Sequence, residues 1–109
     1  MAEDMLWADG IIFGTPENFG YMSGAMKDLF DRTFYPLEGQ LEGMPIAIFI
    51  SAGNDGTGAL TSIRRIGNGY GFKEVQEPLI AVGELTDEML DACETLGMYL
   101  AAGLEGGIF

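Results

Sequence analysis

The chain has 109 residues, 48% of them hydrophobic, with 17 acidic side chains against 5 basic ones and a formal charge of −12. That apolar content excludes a disordered chain, and the acidic balance argues against a nucleic-acid or anionic-membrane partner, because phosphates call for clustered Lys and Arg. The length sets the expectation of one domain, residues 1-109, burying roughly 65% of the surface of its unfolded chain.

In chain order, MAEDMLWADG has neither a basic start nor a long apolar run, so it does not read as a secretory leader. Ile11, Ile12 and Phe13 then form an unbroken apolar run between Gly10 and Gly14. Continuous rather than alternating apolarity predicts a strand buried on both faces, as in a parallel sheet. After the loop GTPENFGYMSG, residues 14–24, a helix is expected from Met22 to about Phe34. Met22, Met26, Leu29, Phe30, Thr33 and Phe34 recur there at spacings of three and four. Ser23 is its candidate N-cap and Tyr35-Pro36 its end.

Pro45 to Ile50, PIAIFI, reads as a second buried strand, far too short to span a bilayer. It ends in SAGNDG. A helix is expected over Ala59 to Ile66, with Leu60, Ile63 and Ile66 on one side, Thr57 or Gly58 as cap, and Gly67 to Gly71 as breaker. Pro78 to Val82 is the third strand. Asp87 to about Leu104 is the last helix, with Thr86 as N-cap, Asp87 and Glu88 at its positive end, and Gly106-Gly107 as its stop. Met89, Cys93, Leu96, Leu100 and Leu104 form its buried stripe. Strands alternating with helices imply right-handed crossovers. The fold expected is α/β, a parallel sheet of about three strands with helices on both faces.

Several chemistries drop out. There is no His and only one Cys, so neither a Ser-His-Asp triad nor a His or Cys metal site can form, and no metal is expected. Cys93 has no disulfide partner, which suits a reducing, cytoplasmic setting. AGNDGTGALTS has the context of a phosphate loop but lacks the Gly-Lys-Ser/Thr of a nucleotide hydrolase, and GNGYG follows a helix rather than a strand. Asp31 and Arg32 read as a helix-end pair, Lys27, Arg64 and Arg65 as solvated cations, and Asp55 as a turn former. Asp87, Glu88, Asp91 and Glu94 read as a solvated face. No side chain is singled out as a catalytic acid or base.

Two loops remain, GTPENFGYMSG and SAGNDGTG. In open α/β sheets, ligands bind at the carboxyl ends of the strands. Gly, Asn, Ser and Thr let backbone approach a ligand and offer N–H donors. Phe19 and Tyr21 could meet a flat ring. Composition alone leaves two readings open: ordinary βα turns, or a grip on a planar heterocycle.

The stretch ADGIIFGTPENFGYMSGAMKDLFDRTFYP resembles the flavodoxin-like flavoproteins, in particular the flavodoxin and NADPH-dependent FMN reductase group. Gly14, Thr15, Pro16, Phe19, Gly20, Met22, Ser23, Met26, Lys27, Asp31 and Arg32 carry the resemblance. FISAGNDGTGALTSI and LGMYLAAGL extend it over essentially the whole chain. The resemblance implies an FMN-binding oxidoreductase or electron-transfer protein, with NAD(P)H as a possible donor. Its flavin ring would lie between a wall of Thr15, Pro16, Glu17, Asn18, Phe19 and Gly20 and a wall of Ser51, Ala52, Gly53, Asn54, Asp55, Gly56 and Gly58. It further implies that the chain corresponds to the family's third strand onward, an N-terminally truncated domain whose FMN phosphate site is absent. Ile11 to Phe13 would then be an edge strand, open to pairing in a homo-oligomer. The alternative reading is a non-catalytic module that holds flavin weakly or not at all and self-associates through that edge.

Overall fold

The computed structural model describes residues 1–109. Its elements are α1 (Ala2–Trp7), β1 (Ile11–Pro16), α2 (Gly24–Leu37), β2 (Pro45–Ala52), α3 (Thr57–Tyr70), β3 (Lys73–Glu74), β4 (Leu79–Val82) and α4 (Asp87–Glu105). All strand pairs are parallel, as unbroken apolar runs require. β2 is the centre. β1 lies on one side of it, in register from Ile11 opposite Ile46 to Pro16 opposite Ser51. On the other side β3 pairs with Pro45 and Ile46, and β4 with Phe49 to Ala52. β3 and β4 are thus two pieces of one interrupted sheet position, so a fourth, two-residue strand joins the three expected.

Alternation along β2 sorts the core into two layers. Ile46, Ile48 and Ile50 face α2 and α3, packing with Phe13, Phe30, Leu37, Ile63 and Tyr70. Ala47 faces the other way, against Leu96 and Leu100 of α4. Helices therefore cover both faces, α2 and α3 with the short α1 on one and α4 on the other. No helix is long and apolar enough to cross a membrane.

Three boundaries differ from expectation, each for a physical reason. α1 precedes β1 and buries Met5 in the larger core cluster, which a six-residue element with little periodicity does not announce. α2 runs two residues beyond Tyr35, because Leu37 is pulled into the core although Pro36 cannot donate to the helix ladder. α3 continues through Gly67 and Gly69 to Tyr70. Those two glycines cost about 2 kcal/mol of helix propensity, and burying the Tyr70 ring returns a similar amount or more. That ring stacks on Phe72 with centroids 4.8 Å apart, and its hydroxyl lies 2.7 Å from Thr33 Oγ1 and donates to the Phe30 carbonyl at 3.1 Å. The stop is Gly71, at φ 80°, where Phe72 N–H reaches back to the Gly67 carbonyl.

β1 has only one neighbour, so its outer edge is open. Burial on both faces, expected of Ile11 to Phe13, fails at Ile12, which is 40% exposed. On that same bare face the Phe49 ring fills the space above Gly14 and remains 38% exposed.

Candidate functional site

The loops that follow β1 and β2 meet at the carboxyl edge of the sheet. The first is built on Thr15, the last buried residue of β1. Its hydroxyl accepts the Ser23 N–H and donates to the Pro16 carbonyl, both at 2.9 Å. Thr15 is therefore turned into the protein, as a brace closing the loop on itself. Ser23 in turn caps α2 by accepting the Met26 N–H at 3.1 Å, as its position in the sequence predicts.

Between those anchors the chain makes a tight hairpin. Asn18 and Tyr21 exchange both backbone hydrogen bonds, at 2.9 and 3.0 Å. The two residues at its tip, Phe19 and Gly20, have φ of 51° and 70°, the positive pair of a type I′ turn. Glycine accepts such a conformation; phenylalanine pays of order 1–3 kcal/mol for it. The Phe19 side chain is nevertheless fully exposed. A strained backbone and an unburied aromatic coincide at one residue.

The second loop is held against the first. Glu17 N–H donates to the Ser51 carbonyl at 2.9 Å, prolonging the β1–β2 pairing. The Glu17 carboxylate accepts the Ala59 N–H at 3.0 Å, capping α3 from the other loop. Gly58 lies so close to the Gly20 carbonyl that a Cβ there has no room. Asp55 accepts from the backbone N–H and the hydroxyl of Thr57, at 3.0 and 2.9 Å, and these bonds hold its carboxyl below the usual carboxylate range. It forms the turn, as expected of an Asp before Gly. Gly56, at φ 75°, is the N-cap of α3, the position expected at Thr57 or Gly58; a Cβ there would strike Ile80.

The structure thus divides the candidate residues by task. Thr15, Glu17, Ala52, Asp55, Gly56 and Gly58 set the shape of the two loops. Pro16, Asn18, Phe19, Gly20, Ser51, Gly53 and Asn54 are exposed along them. The backbone N–H groups of Phe19, Gly20, Gly53 and Asn54 donate to no protein acceptor, so a planar ligand with polar edges has donors available on both walls. The Glu17–Ala59 tie is not readable from sequence, since its partners are 42 residues apart and meet only in space. Asp31 and Arg32, expected to pair with each other, instead pair one helical turn back, with Lys27 and Asp28. Adjacent residues on a helix point apart, so the i,i+4 partners win. Arg64 is not simply solvated either; it makes a two-pronged bridge to Glu74 at 2.9 and 2.7 Å.

Comparison with known proteins fits this geometry. The family described as NADPH-dependent FMN reductase matches residues 1–87. A flavodoxin from Aquifex aeolicus (strain VF5) is 33% identical over 115 residues, covering 91% of this chain and 62% of the relative. The quinone-oxidoreductase QR2 of Triphysaria versicolor is 42% identical over 69 residues, 59% of this chain and 34% of its own. Among solved structures, a flavodoxin from the domain Archaea superposes with a TM-score of 0.82 at 23% identity, over 96% of this chain and 71% of that one. A flavodoxin, WrbA-like protein from Agrobacterium tumefaciens superposes equally well at 20% identity, over 95% of this chain and 71% of that one. The chain spans less than two thirds of the length of these curated relatives. With the family matched over most of its residues, and the parallel α/β fold and the paired loops in place, this chain belongs to the NADPH-dependent FMN reductase family.

Proposed function

We propose that the chain holds the isoalloxazine ring of FMN between residues 14–24 and 51–58, as the ring-binding part of an oxidoreductase taking electrons or hydride from NAD(P)H to a quinone or flavin acceptor. The observation that carries this reading is Phe19. A phenylalanine kept at φ 51° with its ring in solvent contributes nothing to the core, and strain of this kind persists where a ligand contact uses it. Phe19 and the free N–H groups of Gly20, Gly53 and Asn54 would meet the ring and its polar edge, with Pro16, Asn18 and Ser51 along the walls. Glu17, Gly56 and Gly58 would keep the walls apart by a fixed distance, and Thr15 would lock the first of them. The redox step is the chemistry FMN supplies when bound; the protein contributes orientation and electrostatics.

The ring fits these loops better than the phosphate does. A helix N-terminus is the ordinary anion site of such a fold. That of α3 already carries the Glu17 carboxylate, that of α2 the Ser23 hydroxyl, and that of α4 has Asp87 and Glu88 in its first turn. The reading therefore places the phosphate of FMN outside these helix starts. Titration with FMN and with riboflavin, followed by flavin fluorescence, tests it. Similar quenching by both is expected, since riboflavin differs only in lacking the phosphate. No quenching by either would remove the proposal and favour a self-associating module that holds no flavin, for which the open β1 edge speaks.

A further inference from the structure

Two open features of the fold meet in one place. The outer edge of β1 has no strand beside it. Glu17 N–H points toward β2, at the Ser51 carbonyl, so alternation turns the amides of Phe13 and Thr15 toward β2 and those of Ile12 and Gly14 outward. The side of the sheet to which residues 12 and 14 turn is the side of α4. There Ile12 is exposed, and the half-covered Phe49 ring fills the space above Gly14.

α4 crosses this face without covering it. Leu90, Cys93, Gly97 and Ala101 recur along one flank of the helix at spacings of three and four. Leu90 and Cys93 line a hollow of 200 Å³ with Phe49, in which Ser51 is the one polar lining residue. Ala101 lines another, of 720 Å³, with Asp9 and Pro45 at the other end of the helix. That flank is therefore the one turned toward β1. In its middle, a Cβ on Gly97 would meet nothing within 4 Å. The rim is acidic and uncompensated. Asp9, Asp87, Glu94 and Glu105 make no salt bridge, and α4 contains no Lys or Arg.

We propose that this face docks a strand–helix segment of a partner polypeptide. Its strand pairs in parallel with the open edge of β1, and its helix lies against Phe49, Cys93 and Gly97, apolar on the buried side and basic along the side facing the acidic rim. A parallel strand is ordinarily followed by a crossover helix, and α1, α2 and α3 already occupy the opposite face. The superposed flavodoxin from the domain Archaea is covered over 71% of its length, so a sheet of this kind has room for further elements. A second copy of this chain fits less well. Its helices are already packed on its own sheet, so it offers a strand edge but no free helix, and it carries the same charge of −12. The surface is independent of the flavin reading.

The test is titration of the chain, dilute enough to sediment as a monomer, with a synthetic peptide. The peptide joins a Val/Ile-rich strand of about six residues to an amphipathic helix of about 15 residues with Lys along its flanks; a second peptide has Glu in place of Lys. Hydrogen exchange read by NMR is expected to show new protection at the Ile12 and Gly14 amides, with Phe13 and Thr15 unchanged. The Lys peptide should bind roughly tenfold tighter than the Glu peptide, an advantage that shrinks with salt. Gly97→Leu improves helix propensity and meets no neighbour in the free chain, so it should keep stability while weakening the peptide by roughly tenfold or more. Ala102→Leu, on the exposed outer side of α4, should leave binding unchanged. No protection at Ile12 and Gly14, equal binding of the two peptides, or equal weakening by the two variants would overturn the proposal. So would protection of those amides that grows with chain concentration alone and is not altered by the peptide, which would assign the face to a second copy.

Discussion

The Glu17 carboxylate accepts the Ala59 N–H at 3.0 Å and so fastens the loop after β1 to the start of α3. A charged acceptor on an otherwise unpaired helix N–H acts as an N-cap supplied from a distance, and such caps are worth about 1 kcal/mol. Glu17→Ala is expected to lower unfolding free energy by about that amount and to weaken riboflavin quenching more than stability, because the two walls are no longer tied. Glu17→Gln, which keeps an acceptor oxygen, should recover most of both. Urea unfolding and flavin titration on the same two variants check this. Equal quenching by wild type and Glu17→Ala would show that the tie does not shape the site.

Gly58 provides a harsher test of the same contact. An alanine Cβ there would collide with the Gly20 carbonyl, a backbone atom that cannot rotate away. Gly58→Ala must push the hairpin off α3, at a cost of about 1–3 kcal/mol typical of overpacking, and is expected to abolish flavin quenching. Gly53 lies in the neighbouring loop with open space around its Cβ position and no positive φ. Gly53→Ala should therefore be neutral or slightly stabilising. If the two variants unfold at the same denaturant concentration, the packing argument is wrong.

The sequence made the sheet legible because its strands are unbroken apolar runs ended by glycine, and the caps at Ser23 and Thr86 because hydroxyl residues stand directly before periodic stretches. It concealed α3 beyond Ile66, since local propensity at Gly67 and Gly69 opposes a helix that Tyr70 burial sustains. It concealed β3, whose two residues carry no pattern, and the bare face at Ile12, which depends on what lies beside β1. Within the site, residue types marked the two loops correctly as neighbours of a sheet edge. They could not separate Thr15, a buried brace, from Phe19, a free ring four residues on. That division comes from hydrogen bonds between residues distant in the chain.

The buried Tyr70 hydroxyl gives a pH signature. Burial raises its pKa above the usual value of about 10. A raised folded-state value means that the native state keeps its proton where the unfolded chain has lost it. Its contribution is complete below pH ~10 and falls as pH rises toward the folded value. Tyr70→Phe also removes the hydroxyl's contact with Thr33 Oγ1 at 2.7 Å and its donation to the Phe30 carbonyl at 3.1 Å, while Thr33 keeps its bond to the Leu29 carbonyl. The expected loss is about 1 kcal/mol at neutral pH, with a shallower decline of stability above pH ~10 than in the wild type. Thermal unfolding between neutral and alkaline pH checks both. A parallel decline in the two proteins would show that Tyr70 does not carry the alkaline sensitivity.

The open edge of β1 predicts association behaviour. Ile12 and Phe49 leave an apolar surface beside unpaired strand N–H and C=O groups, the arrangement that invites strand pairing between chains. Ile12→Lys places a charge on that edge, and because Ile12 is already 40% exposed it should cost less than a core substitution. Sedimentation velocity across a concentration series is expected to show wild-type self-association and a largely monomeric Ile12→Lys. Unchanged association in the variant would move the contact elsewhere.

Phe19 sets stability against binding. Its φ of 51° is strained for a phenylalanine but ordinary for asparagine or glycine, and its exposed side chain adds nothing to the core. Phe19→Asn should therefore raise unfolding free energy by about 0.5–1 kcal/mol through release of that strain. If the ring serves the flavin, the same substitution should weaken riboflavin by roughly tenfold, the worth of one aromatic contact of about 1.4 kcal/mol. The two effects have opposite signs, so general damage to the fold cannot imitate them. Stabilisation with unchanged flavin binding would leave the strain at Phe19 without a use in this site, and stability lost together with binding would mean that the hairpin tip packs against something it does not touch here.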